Sequence, residues 1–447
     1  MKLDLFRTIK IGCAFLAICA FWQMYNNVIP LILTDTFHLN ESVSGVIMAA
    51  DNILALILLP LFGAISDRTK TSLGRRRPYI VAGSFTAALL LLFIPFFDNL
   101  YYKTGNGMVT AGFIVVLGLV LIVMGVYRSP AVALMPDLTP KRLRSEANAV
   151  INLMGAVGGI LYLILAALLY SKKRIEGLAH VDYTLLFLII AVIMVLSAIV
   201  IMVGVDEVKL GREKEEAERQ MTGPVEETSE PEEIDRADDA IRAIRSGSPY
   251  YDADPRVRRS MLFLLFSIAL WFMSYNAVET WITTYAGHEW GLGLGEASLI
   301  VTVATASAIV SYGPVGYISG KIGRKKNILL GVVMLASSFA ILFIYSVMAD
   351  NFSKALYAVF ALIGFAWASI NVNSLPMVLE MCKDEDIGKF TGSYYFFSMF
   401  AQILTPILAG FCLNKVGYWT LFLYSTLFAL MAAVTMMKVK HGDVHEK

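Results

Sequence analysis

The chain has 447 residues, 57% of them hydrophobic and 16% charged, and its 37 Lys and Arg nearly balance its 36 Asp and Glu for a net charge of +1. A mean hydropathy of +0.65 excludes an ordinary soluble surface, and the balanced charge excludes a bulk field for nucleic acid. The four cysteines, Cys13, Cys19, Cys382 and Cys412, lack metal-ligand spacing and read as small packing residues.

Apolar runs of about 20 residues, each long enough to cross a bilayer as a helix, recur along nearly the whole chain. They predict spans near 9–33, 42–66, 78–98, 108–135, 146–170 and 181–205, then 258–286, 297–320, 327–348, 353–380, 388–413 and 417–438. The expectation is an all-α polytopic membrane protein of twelve transmembrane helices. An N-terminal six-helix bundle covers 1–205, a charged linker 206–257 and a C-terminal six-helix bundle 258–447. The first run is too long for a secretory h-region and lacks a cleavage pattern, so it reads as a retained span. Lys and Arg concentrate in the loops after span two, after span four (Lys141, Arg142, Arg144) and after span eight (Lys321, Arg324, Lys325, Lys326). Lys172, Lys173 and Arg174 after span five are the contrary cluster. The balance predicts cytoplasmic termini. The acidic linker is too poor in apolar residues to fold alone and reads as a solvated cytoplasmic tether, with a surface helix at most over Asp235 to Arg245.

In chain order, span one carries Trp22, Gln23, Asn26 and Asn27, more polarity than packing requires in one membrane helix. Asp35 and Asp98 fall at span ends and read as solvated acids without a role. Asp51 lies some nine residues into span two, where an ionised carboxylate costs about 2.5–3.5 kcal/mol on insertion scales. It is expected to hold a proton or to face a cation or water; the alternative is a structural hydrogen bond. Span two ends in Gly63-Ala-Ile-Ser-Asp67-Arg68, followed by Gly74-Arg75-Arg76-Arg77. Arg128 in span four needs an anionic partner or an acceptor-rich substrate, and Asp51 is the candidate partner. In span seven Trp271, Tyr275 and Glu279 step by four, with Asn276 close by. Aromatic rings, an amide and a carboxylate on one face suit a sugar, whose ring faces stack and whose hydroxyls pair. Asn371 and Asn373 in span ten, and Tyr394, Ser398 and Gln402 in span eleven, extend the polar set. Asp137 and Glu380 end spans four and ten, where either can join the basic turns. Gly316-Tyr-Ile-Ser-Gly320-Lys321 leading into Gly323-Arg324-Lys325-Lys326 repeats the first-half motif, as in transporters built from two related bundles.

The glycine, the acid four residues on and the Gly-Arg-Arg turn, echoed after span eight, resemble the major facilitator superfamily. Pro60-x-x-Gly63-x-x-Ser66-Asp67-Arg68 with Gly74-Arg-Arg-Arg-Pro-Tyr-Ile, Pro130 to Asp137 with Arg144, Ala147 and Asn148, and Lys389-Phe-Thr-Gly-Ser-Tyr-Tyr-Phe-Phe-Ser398 resemble its sucrose:proton branch, akin to the glycoside–pentoside–hexuronide:cation symporters. The resemblance implies a cavity lined by spans one, four, seven and ten. It also implies a cytoplasmic gate in which Gly63, Asp67, Arg68, Gly74, Arg75 and Arg76 latch the inner side near Gly388. Three positions depart from it: Val132 stands where plant sucrose carriers hold a basic residue, the two-aspartate cation pair of melibiose-type carriers is reduced to Asp51, and Gly320 replaces an acid.

The resulting expectation is a sugar (oligosaccharide or glycoside):proton symporter in the plasma (inner) membrane, working by alternating access. Asp51, Arg128 and Glu279 couple the proton. Trp22, Gln23, Asn26, Asn27, Tyr275, Asn276, Glu279, Asn371, Asn373, Tyr394 and Gln402 contact substrate, and Asp137 and Glu380 join the gate. No cofactor or metal is expected; the coupling ion is a proton, with sodium second. The partners are a sugar and membrane lipid, with no nucleic acid and a monomeric chain. The rivals are an efflux antiporter for amphiphilic molecules and a non-transporting sugar sensor. An ATP-driven pump lacks its phosphate-binding loop, and a membrane enzyme lacks His or Cys in the one long loop.

Overall fold

The computed structural model describes residues 4–140, 143–222, 255–349, 351–381 and 387–442. These residues are helical, with no strand among them. The elements are α1 (Leu5–Leu31) with a π-helical turn (Ile32–Thr36), α2 (Glu41–Arg68), α3 (Arg77–Leu91), α4 (Phe93–Thr104), α5 (Gly107–Leu138), α6 (Arg144–Leu169), α7 (Lys172–Ile175), α8 (Thr184–Gly204) and α9 (Glu207–Thr222). After the linker come α10 (Pro255–Trp290), α11 (Leu294–Ile322), α12 (Arg324–Met348), α13 (Leu356–Leu379), α14 (Ile387–Lys415) and α15 (Thr420–Met437). Among the described residues twelve segments are long and apolar enough to cross a membrane, in the predicted order, with α3 and α4 forming one of them. Several outrun their apolar core: α10 has 36 residues, because a helix keeps its backbone bonded beyond the hydrocarbon.

The described residues divide into two compact units. The first takes Met1–His38 and Ala50–Ser229, the second Leu39–Ala49 and Glu230–Lys447. The start of α2 therefore groups with the C-terminal helices, and its contacts explain why. Glu41 accepts from the Tyr418 hydroxyl at 2.6 Å and the Asn414 amide at 3.2 Å. A Cβ on Gly45 would fall 2.2 Å from the Pro406 carbonyl oxygen, so only glycine allows that approach.

Within the first unit α1 packs along α6, and α3 along α5 and α8. Bilayer chains gain nothing from hiding apolar surface from lipid, so their helices associate where small residues let backbones approach. Gly158 does this for α1 and α6: a Cβ there would sit 2.0 Å from the Leu16 carbonyl oxygen. In the second unit Gly364 performs the same task between α13 and α11, with the Ala304 carbonyl oxygen 2.0 Å from a Cβ. The second core holds Trp271 and Trp281, both fully buried, with Phe339 and Phe422.

The expected tether begins instead as a 16-residue helix, α9. Glu207 and Leu210 are buried against the first unit, and the Lys214 ammonium donates to the Pro136 carbonyl at 3.2 Å. The acidic composition hid a segment that docks through a few specific groups. Asp235 to Arg245, Lys141, Arg142 and Cys382 lie outside the described residues.

Gly158→Val is expected to abolish the monodisperse peak of detergent-solubilised protein. Gly118→Val, where a Cβ meets nothing within 4 Å, is expected to leave it intact. Size-exclusion chromatography of the two variants checks this; a normal peak for Gly158→Val would overturn the packing account.

Candidate functional site

In the first unit, α1, α2 and α5 carry the polar face. Trp22, Gln23, Asn26, Asp51 and Arg128 are all partly exposed on these helices. The Arg128 guanidinium lies over the Trp22 ring, 5.7 Å from its centroid, a cation–π arrangement. Asp51 accepts from the Asn52 amide at 2.8 Å. Arg128 attracts Asp51 electrostatically, but the two do not close to an ion pair within 4 Å. The expected direct partnership is replaced by the stack on Trp22. Asn27 departs from the expectation: it is 1% exposed and donates to the Gln23 carbonyl at 2.7 Å. Its position at i+4 on a crowded face turns the amide into packing.

In the second unit Tyr275 stacks on Trp367 with centroids 3.9 Å apart and planes 7° from parallel, and Phe272 meets the same indole edge-on. Glu279 sits one turn from Tyr275, within its field. Asn276 is 8% exposed, and its amide nitrogen has no hydrogen-bond partner. Asn371 is exposed on α13, and Gln402 is partly exposed, donating to the Ser398 carbonyl at 3.3 Å. Trp271 is not part of this face; it is wholly buried in the core. Asn373 and Tyr394 are also turned inward. Asn373 accepts from the Ser319 hydroxyl and donates to the Ser369 carbonyl at 2.8 Å, tying α13 to α11. The Tyr394 hydroxyl shares a hydrogen bond with Ser374 at 3.1 Å. Trp367 escaped the sequence reading, although it stands four residues before Asn371, one helical turn away.

The basic turn after α2 is a connected network. Arg76 is 5% exposed. Its guanidinium donates to Asp67, to the Ser66 hydroxyl, to the Gly63 carbonyl at 3.3 Å and to Asp137 at 2.8 Å. Arg75 adds a second bridge to Asp137 at 2.9 Å. Asp137, at the end of α5, is thereby tied into the basic turn. Arg68 is not: it is exposed and no bond holds it to the network. Glu380 belongs to the second unit's echo, where it pairs with Arg324. The side chains at Gly388 lie outside the described residues.

One member was missed. Glu207, the first residue of α9, is 6% exposed and accepts from the backbone N–H groups of Arg75, Arg76 and Arg77 at 2.8–3.0 Å. It caps α3 from 131 residues away. The first N–H groups of a helix have no partner of their own and carry the positive end of its dipole, so a carboxylate there is doubly favourable. Gly74 makes room for it: φ is +106°, and a Cβ would lie 2.3 Å from the Glu207 carboxylate. Nothing in the Gly74-Arg-Arg-Arg-Pro78 stretch itself points to residue 207.

Asp98 is the largest departure. It was expected in solvent and is 0% exposed, with neither carboxyl oxygen hydrogen-bonded. The apolar run ends near it, but α4 continues to Thr104 and turns it inward. Asp35 is exposed as expected.

A family model described as Major Facilitator Superfamily matches residues 11–293 and 283–447. The sucrose transport protein SUC3 of Arabidopsis thaliana is 30% identical over 139 residues, 28% of this chain and 23% of that protein. The match thus spans about a quarter of that relative's length. An uncharacterized membrane protein of Saccharomyces cerevisiae, YJR124C, is 24% identical over 314 residues, 68% of this chain and 67% of that one. Among solved structures, the inward-open xylose transporter XylE from E. coli aligns with TM-score 0.67 at 13% identity over 97% of this chain and 96% of that one. A bacterial homologue of the iron transporter ferroportin aligns with TM-score 0.70 at 14% identity, over 98% and 99% of the two chains. At such identities the structural likeness speaks for the fold alone.

Glu207→Ala is expected to lower the thermal midpoint of the purified protein, through loss of a helix cap and about 1–2 kcal/mol. Glu213→Ala, which removes the exposed partner of Arg7, should change stability by about 0–1 kcal/mol. Thermal unfolding of both variants checks the contrast; equal midpoints would refute the capping role.

Proposed function

Because the chain belongs to the Major Facilitator Superfamily, and is therefore a multi-pass transporter rather than an enzyme, we propose that it is a sugar:proton symporter for an oligosaccharide or glycoside. The observation that carries this reading is the Tyr275–Trp367 plate beside the unpartnered Asn276 amide and the Glu279 carboxylate. Stacked aromatics accept the C–H face of a pyranose, and amide and carboxylate groups pair with its hydroxyls. A site for lipophilic cations would not require the amide. The likeness to sucrose transport proteins supports the same substrate class.

Asp51 is the proton site and Arg128 its switch partner. A guanidinium resting on Trp22 rather than locked to a carboxylate is free to change partner. Substrate hydroxyls arriving near Trp22, Gln23 and Asn26 would compete for Arg128 and alter its pull on Asp51, so that proton and sugar exchange together. The two units alternate access to the site. The Arg76 network faces the cytoplasm of the plasma (inner) membrane, with both termini on that side and the chain monomeric.

In proteoliposomes offered maltose, sucrose, melibiose or a β-glucoside, one sugar should be concentrated only when the outside is acidic. Asp51→Asn should retain counterflow but lose concentrative uptake. Trp367→Ala should raise the half-saturating sugar concentration several-fold with little change in the counterflow maximum. If Asp51→Asn concentrates sugar as wild type does, the coupling assignment fails. If no sugar moves in the wild type, the sugar reading fails and export of an amphiphilic substrate takes its place.

A further inference from the structure

The first unit holds a second buried acid, at the end opposite the Arg76 network. Asp98 on α4 is fully enclosed, and neither carboxyl oxygen meets a donor at hydrogen-bond geometry, although the Thr36 hydroxyl lies beside it. The His180 Nε2 atom is 3.5 Å away. An enclosed carboxylate that accepts no hydrogen bond is costly, so something must neutralise it.

The neighbours specify what. Asn99 donates to the Asp182 carboxylate at 2.9 Å and to the Thr184 hydroxyl at 3.1 Å. Asp182 itself accepts from the Thr184 N–H at 2.9 Å, capping α8. An ionised carboxylate only accepts, so the Asn99 amide nitrogen faces Asp182 and its oxygen faces His180, 2.8 Å from Nε2. Nε2 must therefore carry a hydrogen, and that N–H is spent on the Asn99 oxygen, leaving Asp98 3.5 Å from Nε2 without a donor. Tyr102 stacks on the imidazole, centroids 4.5 Å apart and planes 11° from parallel, and closes the site from above.

The other ionisable groups facing Asp98 add no positive charge. Asp35 stands on the π-helical turn, Asp182 precedes α8, and the buried Tyr183 phenol lies within the field of Asp35 and Asp98. Among the described residues, α3 and α5, packed along the same helix, present no charged group to it. Burial pushes the His180 imidazolium below the ordinary histidine range, with Asp182 opposing, so in the neutral range the imidazole is uncharged. Three acids then face one neutral ring.

We propose that Asp98 and His180 form a proton-binding site, distinct from Asp51, in which the Asp98 carboxyl carries the proton beneath a His180–Tyr102 lid. The site joins the ends of α1, α4 and α8. Loss of the proton leaves an uncompensated carboxylate under the lid, and charging of His180 at low pH sets a cation in a closed site. The lid is thus best ordered at intermediate pH. On the alkaline side order is lost as Asp98 gives up its proton. On the acid side it is lost as pH falls through the depressed His180 titration, since a group that prefers its neutral form stabilises the fold only above that point. This inference is independent of which solute the protein carries.

Hydrogen–deuterium exchange of the full chain in nanodiscs, corrected for intrinsic exchange, tests it. Wild-type peptides covering 93–104 and 178–184 should lose protection about tenfold towards both alkaline and acid pH. Asp98→Asn should remove the alkaline loss and spare the acid one. His180→Gln, which keeps a donor but does not titrate, should remove the acid loss alone. An alkaline loss equal in Asp98→Asn and wild type would overturn the proton assignment. So would protection in the wild type that depends on sodium rather than choline at fixed pH. An acid loss that persists in His180→Gln would overturn the role of the histidine.

Discussion

The Arg76 guanidinium is the point on which the first unit's inner end depends. One side chain reaches the end of α2 through Asp67, Ser66 and Gly63, and the end of α5 through Asp137. It can do so only because its own backbone is fixed by Glu207. A buried ion pair contributes little beyond an apolar equivalent, but breaking one by removal of a partner costs about 3–5 kcal/mol. The network therefore acts less as a source of stability than as a constraint on register. The helices α2, α3 and α5 share one cation and cannot slide independently while it is held.

The polar residues sort by whether the protein satisfies them. Asn373, Tyr394 and Asn27 spend their hydrogen bonds on backbone carbonyls or neighbouring hydroxyls, and they hold helices together. The Asn276 amide nitrogen and the Trp22 indole nitrogen have no such partner. Within each unit the open polar groups lie beside an aromatic contact, the Arg128–Trp22 stack in the first and the Tyr275–Trp367 plate in the second.

The twelve spans are legible in the sequence because lipid demands helices of a minimum length, and that demand overrides local preference. The first Gly-Arg turn is legible because few chains place an acid, a glycine and three arginines between two apolar runs, and the second because it repeats the Gly-Arg step followed by lysines. Asp98 was misjudged because apolar run length marks where hydrocarbon ends, not where a helix turns its side chains. Glu207 was invisible because an acidic stretch looks alike whether it is solvated or capping a helix 131 residues back. Trp367 was missed because a single tryptophan in an apolar span reads as core until its stacking partner is known. Sequence conveyed periodicity and depth; it conveyed the identity of long-range partners only where a motif repeats.

The glycine contact between α1 and α6 has a practical meaning. With the Leu16 carbonyl oxygen seated where a Cβ of residue 158 would be, these two helices have no room to roll or shear past one another. The expectation is that they move as a single beam. Spin labels or fluorophores on the lipid-facing sides of that beam should keep one fixed separation through every stage of a turnover. That pair is an internal ruler, carried by the molecule itself, against which the displacement of any other helix can be measured.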